Sequence, residues 1–475
     1  MKNGLKKQML GLFGTMYEAH TEIKKLMNAG EIKTASDLLG ECQNMAIRIG
    51  TTIDESEGEN TEAVKLLEDY CEIAYEVSQL SDGNKACKML DKAIIKAENS
   101  VKNDIPSRLE IAIMPYKASM WDSLESIWKA ADEDPECDVF VIPIPYYDRN
   151  PDHSLGKFHY EGNDFPDYVP IIDYEKYDLE KQRPDVIYIH NPYDDSNFVT
   201  SVDPKYYSYE LKKYTEMLVY IPYYVTVMLE STSLDPRPVY YNADKIVLLS
   251  DLLIERANRI YAGDKNMRTK FVALGSPIID AVLNSNKEDF TLPASWKSMI
   301  NGKRVVMFDL TLFVALVKSG DYLKKLKITF DYFQNNDTYV LWWRPHPLTQ
   351  NTLKTMRPQL MDEYDRIVQY YLDNKIGIYD DTPDVMRAVK WCDIYYGNKT
   401  SSVYALFCYD GKITVSDGFA QDDIISDSIN DFAFDFKNNS IDNSDRALLN
   451  RNNNADGTAG EKIHKHIKKW ACENI

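Results

Sequence analysis

Arg344 and His346 stand in the segment Arg344-Pro345-His346-Pro347, directly after the apolar run Tyr339–Trp343. A permanently charged guanidinium close to an imidazole, with prolines fixing the backbone between them, suits neutralisation of phosphate charge. Further on, Gly397-Asn398-Lys399-Thr400-Ser401-Ser402 follows a second short strand-like run, 393–396. It leads into a helical pattern (Val403, Tyr404, Leu406, Phe407) that Gly411 closes. A strand, a polar loop and a helix start bring backbone N–H groups, an amide, Lys399 and three hydroxyls to a point where the helix dipole favours an anion. Each pattern taken alone also describes something plainer: a turn around a packed histidine, or a Thr/Ser helix cap. Their conjunction at two strand ends is what a phosphate-bearing ligand needs. A third group is His190, between Ile189 and Asn191 at the end of the run 185–189. Its imidazole titrates near neutrality and suits a general base; the alternative is a hydrogen bond to a neighbouring loop.

The elements that position these residues alternate strand and helix from Arg108 onward. Strand patterns at 111–114, 138–144 and 185–189 each end in a polar, tyrosine-rich loop, so the loops gather at one edge of a parallel sheet. The unit 244–280 carries Gly275 after the run 271–274, and 284–300 reads as a linker. A second domain follows from the strand 304–308, through a helix at 322–333, to a basic last helix at 461–473. Residues 450–460 read as an Asn-rich surface loop. Before Arg108 everything is helical: one helix closes at Gly30, a second stops at Gly50, and two more start near Asn60 and Asn84. This bundle is either a dimerisation module, through which the chain forms a homodimer, or a cap. The expected fold class is α/β, with two Rossmann-like domains facing a cleft and an all-α helical bundle before them. The expected boundaries are 1–104, 105–290 and 291–475.

A formal charge of −19 over 475 residues excludes nucleic acid or an anionic membrane as a general partner, since both need a basic face. An anionic substrate therefore needs a local basic focus, for which Arg344 and Lys399 are suited. The seven cysteines show no C-x-x-C pair, so they read as thiols in a reducing compartment, with neither zinc nor disulfides expected. The N-terminus opens on an amphipathic helix without a signal-peptide pattern, and no apolar run approaches the ~20 residues a bilayer requires. The expected location is cytoplasmic, with at most peripheral membrane association through the basic last helix.

The pair Arg344-Pro345-His346-Pro347 and Asp393-Ile394-Tyr395-Tyr396-Gly397-Asn398-Lys399-Thr400-Ser401-Ser402-Val403 resembles the C-terminal half of the CDP-glycerol glycerophosphotransferase family, the teichoic-acid polymerase group with the GT-B fold. The segments Asp244-Lys245-Ile246 and Gly275-Ser276-Pro277-Ile278-Ile279-Asp280 are similar to the family's closing strand, helix and G-x-P-x-x-D sequence. The likeness spans about residues 240 to 415. It implies that Pro345-His346-Pro347 and the loop from Asn398 to Ser402 bind the donor's pyrophosphate and nucleotide, and that the last helix crosses back to brace the first domain. Two departures stand out. Asn398 replaces the family's aspartate, and 218–225, where the family carries a His-Gly pair proposed to supply the base, holds no histidine.

The resulting expectation is a transferase that moves a glycerophosphoryl or glycosyl group from a nucleotide-diphosphate donor to a glycan or polyol-phosphate acceptor of the cell envelope. His346, Arg344 and His190 carry the catalytic expectation, and Asn398, Lys399, Thr400, Ser401, Ser402 and Gly275 the donor-binding one. No cofactor or metal is expected, the nucleotide being a substrate. Two alternatives stand beside it: a non-catalytic nucleotide-sugar-binding or scaffold protein, and an isomerase of the sugar-nucleotide 2-epimerase type, for which the sequence shows no acidic cluster.

Overall fold

The structure is a computed structural model that describes residues 1–150, 152–225, 234–311, 315–316, 318–334, 336–346, 348–399, 401–416 and 454–474. The chain forms two compact units. One comprises Met1–Glu110, Asp134–Asp138 and Trp470–Ile475, and the other Ile111–Glu133 and Val139–Lys469.

In the first unit, helices α1 (Asn3–Ala29), α2 (Ile32–Glu57), α3 (Glu62–Ser78) and α4 (Gly83–Asp104) bury one apolar stripe each. Phe13, Ile23, Cys42, Ile49, Tyr70, Leu90 and Ile94 are among the fully buried side chains. Gly30 ends α1 at a φ of 82°, and the carboxylate of Asp82 caps α4 by accepting from the amides of Asn84 and Lys85. The stop expected at Gly50 does not occur. Beyond it the stripe continues with buried Ile53, and packing outweighs the roughly 1 kcal/mol that one glycine costs inside a helix.

The second unit is built on two parallel sheets. The first takes β1 (Leu109–Met114), β2 (Cys137–Val141), β5 (Val186–Ile189), β7 (Met217–Tyr220), β8 (Lys245–Leu248) and β9 (Phe271–Ala273) in the order β2-β1-β5-β7-β8-β9. The second takes β10 (Arg304–Asp309), β11 (Tyr339–Trp343), β12 (Gly377–Tyr379), β13 (Ile394–Gly397) and β14 (Ile413–Ser416) in the order β12-β11-β10-β13-β14. Both orders reverse direction once, at β1/β5 and at β10/β13, as in doubly wound Rossmann-like sheets. The protein is thus α/β, with two Rossmann-like sheets following an all-α bundle in the chain. A small antiparallel sheet, β4 (Leu155–His159), β3 (Tyr146–Arg149) and β6 (Thr200–Val202), carries the excursion after β2.

The strands of the second sheet read as continuous apolar runs because both faces are covered. Val305, Met307, Val340 and Trp342 face the core shared with the first sheet. Their neighbours Val306, Phe308, Leu341 and Trp343 face α8 (Ser319–Gln334) and α9 (Met361–Asp373) through Phe330, Tyr364 and Tyr371. Among the helices following strands of the two sheets, α5 (Glu125–Asp132), α6 (Asp251–Ile260), α7 (Pro277–Asn284), α10 (Val385–Trp391) and α11 (Ser402–Tyr409) fix loops at the carboxyl edges, and α12 (Ala459–Asn474) closes the described chain. The stretch 284–300, read as a linker, instead contains a short helix, Ala294–Ile300, whose Trp296 packs edge-on to Trp342 at a centroid distance of 5.0 Å. Of the loop expected at 450–460, residues 450–453 lie outside the described residues. No described helix is long and apolar enough to cross a membrane.

Candidate functional site

The reversal point of the second sheet brings the ends of β10 and β13 together. Asp309 and Gly397 are register partners, and a Cβ at Gly397 would lie 2.1 Å from the Asp309 carbonyl oxygen, so only glycine permits this approach. Asp309 is buried. Its Oδ2 accepts from Ser401 Oγ at 2.5 Å and from Tyr395 OH at 3.2 Å. Burial pushes the Asp309 carboxyl above its usual range, while Ser401, His346, Tyr395 and Arg344 hold it back. Ser401 also caps α11 by accepting from the Val403 amide at 3.1 Å. The hydroxyl expected to face a ligand is therefore spent inside the protein, whereas Ser402, half-buried beside it, has no hydrogen-bond partner among the described residues. Asn398 is buried and its carbonyl accepts from Tyr395 OH and the Ser401 amide. Lys399 is half-buried on the same loop. Thr400 lies outside the described residues, as does Pro347.

At the end of β11, Arg344 is buried and its Nη1 lies 2.9 Å from Oδ2 of Asp380, which is wholly buried. The same carboxylate accepts from Trp342 Nε1 at 2.9 Å, from the Thr382 amide at 3.0 Å and from Thr382 Oγ1 at 2.6 Å. His346 is half-buried. Its Nδ1 accepts from the Leu348 amide at 3.2 Å, so in the neutral ring the proton sits on Nε2, which has no partner among the described residues. Burial holds the imidazole below its ordinary pKa. Asp309 pulls it back up, and Lys117 and Arg344 push it further down. Lys117 follows β1, with its ammonium 4.8 Å from the centre of the Tyr146 ring. At the carboxyl edges of the two sheets Lys117 and Arg344 thus both bear on a neutral His346, while Glu161 and Asp148 act on Lys117 and Asp380 pairs with Arg344. A cavity of about 220 Å³ opens beside it, lined by His346, Gln350, Tyr364, Tyr379 and Thr382 together with the carboxylates of Asp365, Asp380 and Asp381. Lys117 was legible in sequence only as part of a loop after a strand.

His190 has a different task from the one its sequence position suggested. It is fully buried at the end of β5. Its Nε2 accepts from the Tyr116 amide at 3.1 Å. Its Nδ1 lies 3.0 Å from Ser123 Oγ, whose own proton goes to the Met120 carbonyl. Both nitrogens are engaged, so the ring fastens β5 to the loop after β1, and burial drives its pKa down to about 3. Against an ordinary value near 6.5, the unfolded chain takes up a proton between these pH values and the folded chain does not. Stability contributed at this ring is therefore lost as pH falls below about 6.5, by up to about 1.4 kcal/mol per pH unit. Urea unfolding of a His190→Gln variant should lose about 1 kcal/mol less than wild type between pH 7.5 and 5.5. Equal losses would show a ring that takes up protons in the folded chain.

Gly275 is likewise reassigned. Its φ is +100°, and a Cβ there would lie 2.5 Å from the Asn454 carbonyl oxygen and 2.8 Å from the Ala459 side chain. It makes room for the chain entering α12 rather than for a phosphate. The aspartate of the same motif, Asp280, accepts from the amides of Ala459 at 2.9 Å and Gly460 at 2.8 Å and from Ser126 Oγ at 2.8 Å. The helix expected to brace the first sheet domain is pinned there at its N-terminus.

Between loops of the two sheets lies a cleft cavity of about 630 Å³. Asp122, Glu125, Asp164, Asp289 and Asp384 line it with Trp121 and Tyr168. Burial, with the charges of Glu125 and Asp384, pushes Asp122 up to about 7, and Lys129 opposes them. These acids are scattered in the sequence, which is why no cluster was legible there.

No protein-family model matches the chain, and no curated protein matches it. Solved structures similar to it include a UDP-GlcNAc 2-epimerase from Methanocaldococcus jannaschii in complex with UDP-GlcNAc and UDP, at 13% identity and a TM-score of 0.48, covering 76% of this chain and 100% of that one. A UDP-GlcNAc 2-epimerase from Neisseria meningitidis bound to UDP-GlcNAc is similar at 10% identity and a TM-score of 0.47, over 77% of this chain and 100% of that one. The wall teichoic acid polymerase TagF is similar at 14% identity and a TM-score of 0.46, over 86% of this chain and 98% of that one.

Proposed function

We propose that the chain is a transferase that takes a nucleotide-diphosphate donor and moves its glycerophosphoryl or glycosyl group to a cell-envelope acceptor. The observation that carries this reading is the His346 ring. Its Nε2–H is fixed as a donor by the Leu348 amide, at the mouth of a cavity, beside the positive charges of Lys117 and Arg344. A neutral imidazole donor flanked by cations suits a diphosphate whose leaving oxygens gain charge during transfer. Ser402 at the start of α11 supplies a further hydroxyl. The cavity wall of Tyr364, Tyr379 and Gln350 offers ring faces and an amide to a base or ribose. The motif resemblance at 344–347 and 393–403 supports the same assignment.

One observation favours a second reading. The carboxylates that gather in the cleft are the groups an isomerase needs to remove and return a proton on a sugar carbon. Product analysis separates the two: a transferase releases nucleotide, whereas an isomerase inverts a sugar centre and keeps the nucleotide attached. Binding without either would make the chain a nucleotide-sugar-binding protein.

Cytidine or uridine diphosphate at a hundredfold excess over its dissociation constant should stabilise the protein by about 2.7 kcal/mol. Ser402→Ala should weaken that binding about tenfold, the worth of one hydrogen bond to a charged group. A full shift in a His346→Ala/Ser402→Ala variant would place the nucleotide elsewhere.

A further inference from the structure

We propose that the acidic cavity in the cleft is a saccharide subsite, which takes an uncharged or amine-bearing sugar as the acceptor and rejects a phosphate-bearing one. This rests on the reading of a nucleotide-diphosphate donor held at Lys117, Arg344 and His346. The two sites are neighbours along the chain on both sides. Lys117 precedes Ala118 and Ser119 in the cavity wall, and Thr382 of the smaller cavity precedes Pro383 and Asp384 of the larger. A volume of about 630 Å³ admits a mono- or disaccharide.

The wall chemistry sets the ligand class. Tyr168 is 58% exposed and presents a ring face, and Phe290 adds apolar surface. Trp121 is 3% exposed, and its buried indole N–H has no acceptor among the described residues. The Asp122 carboxyl makes no hydrogen bond or ion pair with a described residue. Being poised between its charged and neutral forms near pH 7, it both accepts from and donates to hydroxyls. Glu125 is engaged by Tyr168 and by Lys129, the latter at 2.9 Å, and Asp384 pairs with Arg387 at 3.1 Å. Among the described residues Lys129 is the one cation in the wall, against the carboxylates of Asp122, Glu125, Asp164, Asp280, Asp289 and Asp384. A phosphate placed among them meets like charge at close range, while sugar hydroxyls and ammonium groups find acceptors. Among the described residues these carboxylates do not converge on a point as metal ligands do.

Titration calorimetry on the full chain tests this with three probes: N,N′-diacetylchitobiose, glucosamine and glycerol 3-phosphate. The two sugars should bind, and the phosphate should not displace them. Asp122→Asn and Tyr168→Ala should each weaken sugar binding about tenfold. Tyr168 is exposed, so its variant folds even if the other does not. Absence of sugar binding, sugar binding untouched by both wall variants, or glycerol 3-phosphate binding that Tyr168→Ala weakens would each overturn the subsite. A cation site that takes Mg²⁺ and loses it in Asp122→Asn would overturn it too. Nucleotide diphosphates that bind while sugars do not leave the donor reading standing without the subsite. Sugars that bind while nucleotides do not leave the subsite standing without the donor.

Discussion

Arg344→Ala is expected to lower stability by about 3–5 kcal/mol and, separately, to remove most of the stabilisation given by nucleotide diphosphates. The first effect follows from Asp380. That carboxylate is 0% exposed, and Arg344 Nη1 at 2.9 Å is the positive charge paired with it, the other contacts being neutral donors from Trp342 and Thr382. Deleting the guanidinium leaves a buried charge without its counter-ion, which costs more than the pair itself contributes. The second effect follows from the field at His346, which Arg344 shares with Lys117. An Arg344→Ala/Asp380→Asn double variant separates the two. Neutralising the carboxyl removes the uncompensated charge, so stability in urea should recover in large part. Nucleotide affinity should stay low. Recovery of both would make Arg344 a structural cation that holds the turn at 344–347 and leave phosphate contact to Lys117 and His346.

The elements that carry this pair were legible in the sequence, and the pair was not. β11 and β13 announce themselves as apolar runs ending in polar loops, since strands covered on both faces cannot hide their composition. Ser401 reads as a helix cap from its neighbours alone and caps α11 in the structure. Which group then faces it is a matter of tertiary proximity. Asp309 accepts from the Ser401 hydroxyl because β10 lies beside β13, and Asp380 meets Arg344 because β12 lies beside β11. His190 shows the same limit from the other side. A histidine at a strand end reads as accessible until the Tyr116 amide and Ser123, both from another segment, are seen to occupy its nitrogens. Gly50 failed as a helix stop for a related reason, because the stripe it interrupts resumes at Ile53.

The motif at 275–280 leads to the other large expected effect. Asp280→Ala should cost about 3 kcal/mol, read by urea unfolding, with faster amide exchange at 459–462. Asp280 is 2% exposed and satisfies three donors at once: the Ala459 and Gly460 amides at the start of α12 and the Ser126 hydroxyl. Those amides have no intrahelical acceptor, and the negative end of the side chain meets the positive end of the helix dipole. Removing the carboxylate strands all three donors in a buried place. Asp280→Asn should cost less, because one oxygen remains for a backbone amide and the Ser126 hydroxyl can turn to accept from the new NH₂. Gly460 belongs to the same clamp. A Cβ there would lie 2.3 Å from Ser126 backbone atoms, so Gly460→Ala should push α12 off the carboxylate and reproduce the loss. If Asp280→Ala and Gly460→Ala each proved mild and their costs simply added, the two residues would not act on one contact. A shared contact instead requires that the double variant cost clearly less than the sum, since the helix start can leave Asp280 only once.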